Sequence, residues 1–228
     1  MPCFDVIRKS SVDDASFRIA KIRSLFDLKN EEIEEHFTGE IVYPDQWKIG
    51  VIVGPSGTGK STIINEIYKD KVVSFTQSDY THKSVLDDMP ENKSVEEITR
   101  IFSMVGFSSV PCWCKPYAVL SNGEKSRVDI ARALLSDDAL VVYDEFTSVV
   151  DRNVARTICI ALKKAMAHLD KQIILVTCHY DVEDYIEPDW VFDTHTMSMK
   201  TPKARDIKNS QSENAVALNG EVLSVITI

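Results

Sequence analysis

Two groups of residues have the types and spacing to do chemistry. In Gly54-Pro55-Ser56-Gly57-Thr58-Gly59-Lys60-Ser61-Thr62 the glycines let successive backbone N–H groups turn inward as an anion nest, Lys60 can neutralise β- and γ-phosphate oxygens, and Ser61 can hold Mg²⁺. The flanks fit that use. KIGVIV (48–53) is a β-branched run, and Lys60 to Lys69 is rich in helix formers with Ile63, Ile64 and Ile67 on one side. Strand, glycine turn and helix N-terminus in that order put positive potential where a phosphate would lie. In the second group, LVVYDEF, Asp144 and Glu145 follow an apolar strand; one carboxylate can join a Mg²⁺ shell while its neighbour reaches a water lined up on a γ-phosphate. This strand is expected to lie beside the phosphate-loop strand.

The elements that must position these residues form an α/β pattern. VVSFT (72–76), ALVVY (139–143), QIILVT (172–177) and DWVFD (189–193) read as strands without polar alternation, separated by helices, which implies a parallel sheet covered on both faces. Val95, Ile98, Ile101, Phe102 and Val105 predict a helix over 94–105 with a Ser94/Glu97 capping box. Further helices are predicted over Asn122–Leu135 and from Asp151 to about Leu169, the latter with Val154, Ile158, Leu162, Ala165 and Leu169 on one face. The segment from about Gln77 to Tyr117 reads as a predominantly helical lobe inserted into the sheet. The polar stretch Lys203–Asn214 reads as a linker, and VLSVITI after it as a late strand or a partner-binding tail, which divides the chain into a domain over 1–200 and a tail over 201–228.

Composition limits the alternatives. With 228 residues, 44% of them apolar, one large globular domain is expected. A net charge of −9 disfavours a broad nucleic-acid-coating surface, which works by replacing counterions with Lys and Arg. No run approaches the roughly 18 uninterrupted apolar residues of a membrane span, and the N-terminus lacks the apolar stretch of a signal peptide, so a cytosolic chain is expected. Cys3, Cys112, Cys114, Cys159 and Cys178 are odd in number and unevenly spaced, which favours reduced thiols; Cys112-Trp113-Cys114, without a matching pair, makes a poor zinc site.

LSNGEKSRVDIARAL (120–134) then gives the pattern a family. It resembles the signature of the ATP-binding-cassette (ABC) ATPases, Leu-Ser-Gly-Gly-Gln/Glu followed by Arg-x-x-x-Ala-Arg-Ala, through Leu120, Ser121, Gly123, Glu124, Arg127, Ala131, Arg132 and Ala133. Asn122 replaces the first glycine, a mild departure because Asn tolerates left-handed backbone. The resemblance implies a P-loop NTPase fold of the ABC type that binds ATP and Mg²⁺. It also implies roles: Gln77 for the glutamine that senses Mg²⁺, Ser148-Val-Val-Asp151 for the loop crossing a dimer, and His179 for the histidine on the γ-phosphate. Ser121, Asn122, Gly123 and Glu124 would meet the partner's nucleotide in a head-to-tail dimer, with Lys60, Glu145 and His179 as catalytic residues and Ser61, Gln77 and Asp144 around the metal. Phe26, with Phe37 and Tyr43 as rivals, is the candidate to stack on adenine.

Only Thr62 to Thr76 separate the phosphate loop from Gln77, whereas transporter ATPases of the family have a longer segment there, so a truncated accessory β-region is expected with a helical lobe over about 78–118. VGFSSVPCWCKPYAVLSNGEKSR, YDEFTSVVDR and TCHYDVEDYIEPDWVFD resemble a soluble branch of the family in which such an ATPase is sometimes fused to an acetyltransferase, over most of Phe17 to Asp193. The resemblance therefore favours a soluble regulatory or mechanochemical ATPase that forms an ATP-dependent homodimer, with a separate protein docking on the helical lobe. A nucleotide-binding subunit of a membrane transporter is the alternative, and a DNA-maintenance ATPase is disfavoured by charge.

Overall fold

The computed structural model describes residues 2–10, 16–27 and 33–200; the linker and VLSVITI tail lie outside the described residues. Elements follow in the order β1 (Cys3–Ser10), α1 (Phe17–Phe26), β2 (Ile33–Glu40), β3 (Ile49–Val53), α2 (Lys60–Tyr68), β4 (Val72–Val73), α3 (Val95–Met104), α4 (Val110–Trp113), α5 (Asn122–Leu135), β5 (Leu140–Tyr143), α6 (Arg152–Ala167), β6 (Gln172–Thr177), α7 (Val182–Ile186), β7 (Trp190–Asp193) and β8 (Ser198–Lys200). Strands β3 to β8 form one sheet in the order β4-β5-β6-β3-β7-β8, and β1 and β2 pair as a separate antiparallel ribbon.

The large sheet is parallel as expected, except that the short β8 turns back along β7. Its order corrects one expectation. Strand β5, which leads to Asp144, pairs with β4 and β6, while β3 pairs with β6 and β7; β6 therefore separates the two strands that carry the chemistry. Strand β4 stops at Val73, because the chain turns at Thr76, whose backbone N–H donates to Asp79 at 2.6 Å in a capped 3₁₀ turn.

Successive side chains of a strand face opposite ways, and the sheet accordingly divides two cores. Val51, Val53, Val141, Tyr143, Ile173, Leu175 and Val191 pack against α3, α5 and α6. On the other face Ile52, Val142, Ile174, Val176 and Phe192 pack against Ile63 and Ile64 of α2 and against Phe4 and Phe37 of the ribbon. At the start of β3, Trp190 lies against Gly50 so closely that a Cβ there would overlap the indole. Tyr43, Trp47 and Trp190 form a mutual aromatic cluster with ring centroids 5.2–5.4 Å apart.

The inserted segment is less helical than its pattern predicts: 80–93 is turns, and α3 is its one helix longer than four residues. The Ser94 hydroxyl and Glu97 carboxylate form the expected reciprocal cap of α3. Gly106, at φ 83°, ends that helix and lets the Phe107 N–H reach the Phe102 carbonyl at 2.7 Å. The Trp113 indole N–H donates to the Phe107 carbonyl at 2.8 Å, holding α4 against that turn. All five cysteines are free thiols, and Cys112 donates to the Glu124 carboxylate at 3.3 Å. Among the described residues no helix is long and apolar enough to cross a membrane.

Candidate functional site

The C-terminal ends of the parallel strands carry the loops that converge on one site, the usual place for a ligand in such a sheet. A cavity of about 330 Å³ is lined there by Ser56, Gly57, Gly59, Lys60, Ser61, Thr62, Asp144, Glu145 and Cys178, among others. At the opposite edge, a larger cavity of about 820 Å³ opens between the strand starts and the end of α6. Size does not select the functional one. In the larger cavity Lys48 donates to the Met166 and Leu169 carbonyls, Lys171 to those of Ser136 and Asp138, and Lys163 pairs with Glu187; these lysines close off helix and strand ends.

The smaller cavity is built as an anion receptor. Gly57 and Gly59 both have left-handed backbone, φ 86° and 79°, so the loop curls around its own N–H groups just where α2 begins. A Cβ at Gly59 would come within 2.7 Å of the Phe37 ring, and one at Gly54 would overlap the Thr194 hydroxyl; glycine is required for packing as well as for turning. The Thr58 hydroxyl hydrogen-bonds Thr194 at 2.6 Å and donates to the Pro55 carbonyl at 2.9 Å, which pins the loop from outside. Lys60 donates to the carbonyls of Gly54 and Pro55, both at 2.7 Å. Burial lowers the Lys60 pKa, against the raising influence of Cys178, Asp144 and Glu145.

Although β6 lies between their strands, the two predicted chemical groups meet. The Ser61 hydroxyl donates to Asp144 Oδ2 at 2.8 Å, and Asp144 Oδ1 accepts the Glu145 backbone N–H at 2.8 Å. A hydroxyl and a carboxylate in contact beside an anion nest are the hard oxygen donors that suit Mg²⁺. After Asp144 the chain is strained: Glu145 and Thr147 have φ 56° and 66°, a left-handed conformation that is costly for any side chain and more so for a β-branched one. Phe146 N–H to the Val176 carbonyl, at 2.8 Å, and Ser148 N–H to the Glu145 carbonyl, at 3.1 Å, hold it there. Thr147 Oγ1 is 3.2 Å from His179 Nδ1. Burial first, and then the Arg152 charge, lower the His179 pKa and favour neutral imidazole, with Asp181 opposing.

The remaining predicted residues lie elsewhere. Gln77 is exposed at the start of a 3₁₀ turn and does not line the cavity. The Asp151 carboxylate caps α6, accepting the N–H groups of Asn153 and Val154. Ser121 and Glu124 form a capping box at the start of α5, outside the cavity. Asn122 is the first residue of that helix and has no left-handed backbone, so its tolerance for that conformation is not called upon. Gly123 packs on Val154, where a Cβ would meet Cγ1 at 2.9 Å.

None of the three candidate aromatics supplies a wall of the cavity. Phe26 is 69% exposed on α1, Phe37 is buried against Gly59, and Tyr43 is held between Trp47, Trp190 and the Tyr68 hydroxyl at 2.6 Å. Arg8, Thr194 and Cys178 belong to the site or its support and escaped sequence reading. Cys178 and Thr194 directly follow or nearly follow strands that end at the phosphate loop, which is the one signal that could have pointed to them.

A second polar cluster ties the turn after Gln77 to α5. The hydroxyls of Tyr80 and Tyr117 donate to the two oxygens of buried Asp129 at 2.6 and 2.9 Å, their rings stacked 3.8 Å apart. Arg132 donates to the Asp79 carbonyl at 2.7 Å with its guanidinium 4.8 Å above the Tyr80 ring. Burial pushes Asp129 up to about 6, despite the two tyrosine hydrogen bonds.

Comparison with known proteins agrees with this geometry. Residues 69–148, from the end of α2 through Ser148, match the ABC transporter family. The methionine import ATP-binding protein MetN of Brucella abortus (strain 2308) is 35% identical over 94 residues, 41% of this chain and 25% of that protein; MetN of Escherichia coli (strain K12) is 36% identical over 101 residues, 42% and 28%. The matched part thus spans about a quarter of these relatives' length. Among solved structures, the dimeric post-hydrolysis state of the ATP-binding cassette MJ0796 bound to ADP and Pi superposes with a TM-score of 0.59 at 18% identity, over 84% of this chain and 92% of that one. The ADP conformation of MJ1267, an ATP-binding cassette of an ABC transporter, gives 0.55 at 18% identity, over 82% and 90%.

Proposed function

We propose that this chain is an ABC-type ATPase cassette that binds and hydrolyses MgATP at the interface of a head-to-tail dimer and uses the cycle to move a separate partner. One observation carries this reading: the phosphate loop and the strained Asp144–Ser148 turn meet through Ser61 and Asp144, while the signature residues Ser121 and Gly123 sit outside that cavity. A second copy would bring its own signature to the first copy's nucleotide.

In such a site the backbone amides of the loop and Lys60 would hold the phosphates, Lys60 exchanging its bonds to Gly54 and Pro55 for phosphate oxygens. Ser61 and Asp144, with Gln77 swung in by movement of its turn, would hold Mg²⁺. When bound, the ion neutralises charge developing on the phosphates. Glu145 would orient and deprotonate the attacking water. His179, kept neutral and anchored on Thr147, would support the γ-phosphate as a hydrogen-bond donor. Phe26 has no place in this reading.

The matches to import ATP-binding proteins support a membrane-transporter subunit at the cytoplasmic face, with the partner docked on the helical lobe. A soluble regulatory ATPase is the second reading, favoured by an N-terminal region whose described strands, β1 and β2, pair as a two-stranded ribbon. Purification from native membranes and cytosol in parallel separates them: a polytopic partner supports the first, a soluble partner the second. Glu145→Gln tests the shared core. It should keep ATP affinity and accumulate a dimer on size-exclusion chromatography at saturating ATP; a persistent monomer would count against the sandwich.

A further inference from the structure

We propose that Arg8, delivered by the N-terminal ribbon, is a phosphate-binding residue of the nucleotide site. Strand alternation puts Phe4, Val6 and Arg8 on one side of β1, opposite Gly39, Phe37 and Glu35 of β2. The first two pairs are core. Phe4 and Phe37 are buried, Val6 packs against the same cluster, and the Phe37 ring covers Gly59 at the mouth of the phosphate loop. One step further along this face Arg8 leaves the core and lines the cavity together with Lys60, Ser61, Thr62 and Asp144.

Among the described residues no hydrogen bond or ion pair engages Arg8, although Glu35 lies directly across the ribbon. Lys9, on the opposite face of the strand, is by contrast paired with Glu34 at 3.5 Å. An unpaired guanidinium beside an anion nest has the chemistry for phosphate: permanent charge and parallel N–H donors that match two oxygens at once. The one aromatic in the cavity lining, Phe146, is fully buried, and the glycines, Lys60, Ser61 and Thr62 of the phosphate nest share the cavity with Arg8. The ribbon would then add to the nucleotide site a second cation that the Gly-x4-Gly-Lys-Ser pattern does not contain.

This inference rests on the MgATP reading, and its test separates the two. Calorimetric titrations of the full chain with ATP, GTP and inorganic tripolyphosphate should show Arg8→Ala weakening all three by a similar factor, roughly tenfold or more. Arg8→Lys should recover part of the loss, and Lys9→Ala should match the wild type. Because Arg8 is exposed, the variants should melt with the wild type; if Arg8→Ala does not, Arg8→Gln keeps the stem packing and serves in its place. Unchanged tripolyphosphate affinity overturns the proposal, whether ATP affinity is also unchanged or falls alone, the latter outcome assigning Arg8 to the nucleoside. A wild-type chain that binds none of the three overturns the MgATP reading and this one with it.

Discussion

At the phosphate cavity Glu145 and Thr147 are held at positive φ and Lys60 is turned back on its own loop, whereas at the start of α5 Ser121 and Glu124 satisfy one another and residues 120–125 have ordinary backbone. The first region holds strain and charge that a ligand would engage. The second is a finished helix terminus, fixed from behind by Asp129, Tyr80 and Tyr117. A terminus with that much support, lying outside the phosphate cavity, is suited to being presented to another molecule.

The comparison breaks most easily at Lys60. Lys60→Ala should reduce ATP affinity by about 100-fold or more, since Lys60 is the phosphate loop's own cation; unchanged affinity by calorimetry would remove the phosphate-loop assignment. Next in size, Ser121→Arg should leave ATP affinity within about twofold and slow hydrolysis about tenfold or more, because bulk at the cap would obstruct only the partner's site. Equal loss of binding in the monomer would mean that the cap serves its own cavity.

Asp129 offers a smaller effect with a defined sign. Its folded-state pKa is raised to about 6 from 3.8, so between about pH 4 and 6 the folded chain retains a proton that the unfolded chain has lost, and stability contributed by this group falls as pH rises through that window. Asp129→Asn should lack the fall, of order 2 kcal/mol, when denaturation is measured at pH 4 and pH 7 for both proteins. A wild type and variant with parallel profiles would show that Asp129 titrates normally. Smallest, Ser94→Ala and Ser121→Ala should each cost about 1 kcal/mol as lost caps, yet only the second should alter hydrolysis.

Much of this was legible because it is local. The phosphate loop, the Ser94 cap, α5 and β6 all follow from neighbours within a few residues, whereas Ser121, read as a signature residue, turned out to cap α5 as well. The order of the sheet does not: β6 comes after β5 and α6 in sequence yet inserts between β3 and β5, a choice made by packing across the whole domain. The ribbon escaped for a different reason. IEEHFTGE carries three glutamates and a glycine, poor strand formers, and exposed Ile7 interrupts the alternation of β1, so only pairing between segments some thirty residues apart makes them strands. Arg8 and the burial of Phe37 on Gly59 were hidden with it. Phe26 looked suitable as a ring at a plausible distance along the chain, and distance along the chain does not specify a face.

The hydrogen bond from Trp113 to Phe107 also makes the domain readable by light. Of three tryptophans, Trp47 and Trp190 share one aromatic cluster at the foot of the sheet, where coupled transitions should dominate the near-ultraviolet dichroism and ignore events at the nucleotide. Trp113 stands alone in the inserted lobe, with its indole held by a single carbonyl. Replacing the other two with phenylalanine would leave one emitter whose colour follows the solvation of that lobe, so any change there on adding nucleotide could be watched without attaching a dye.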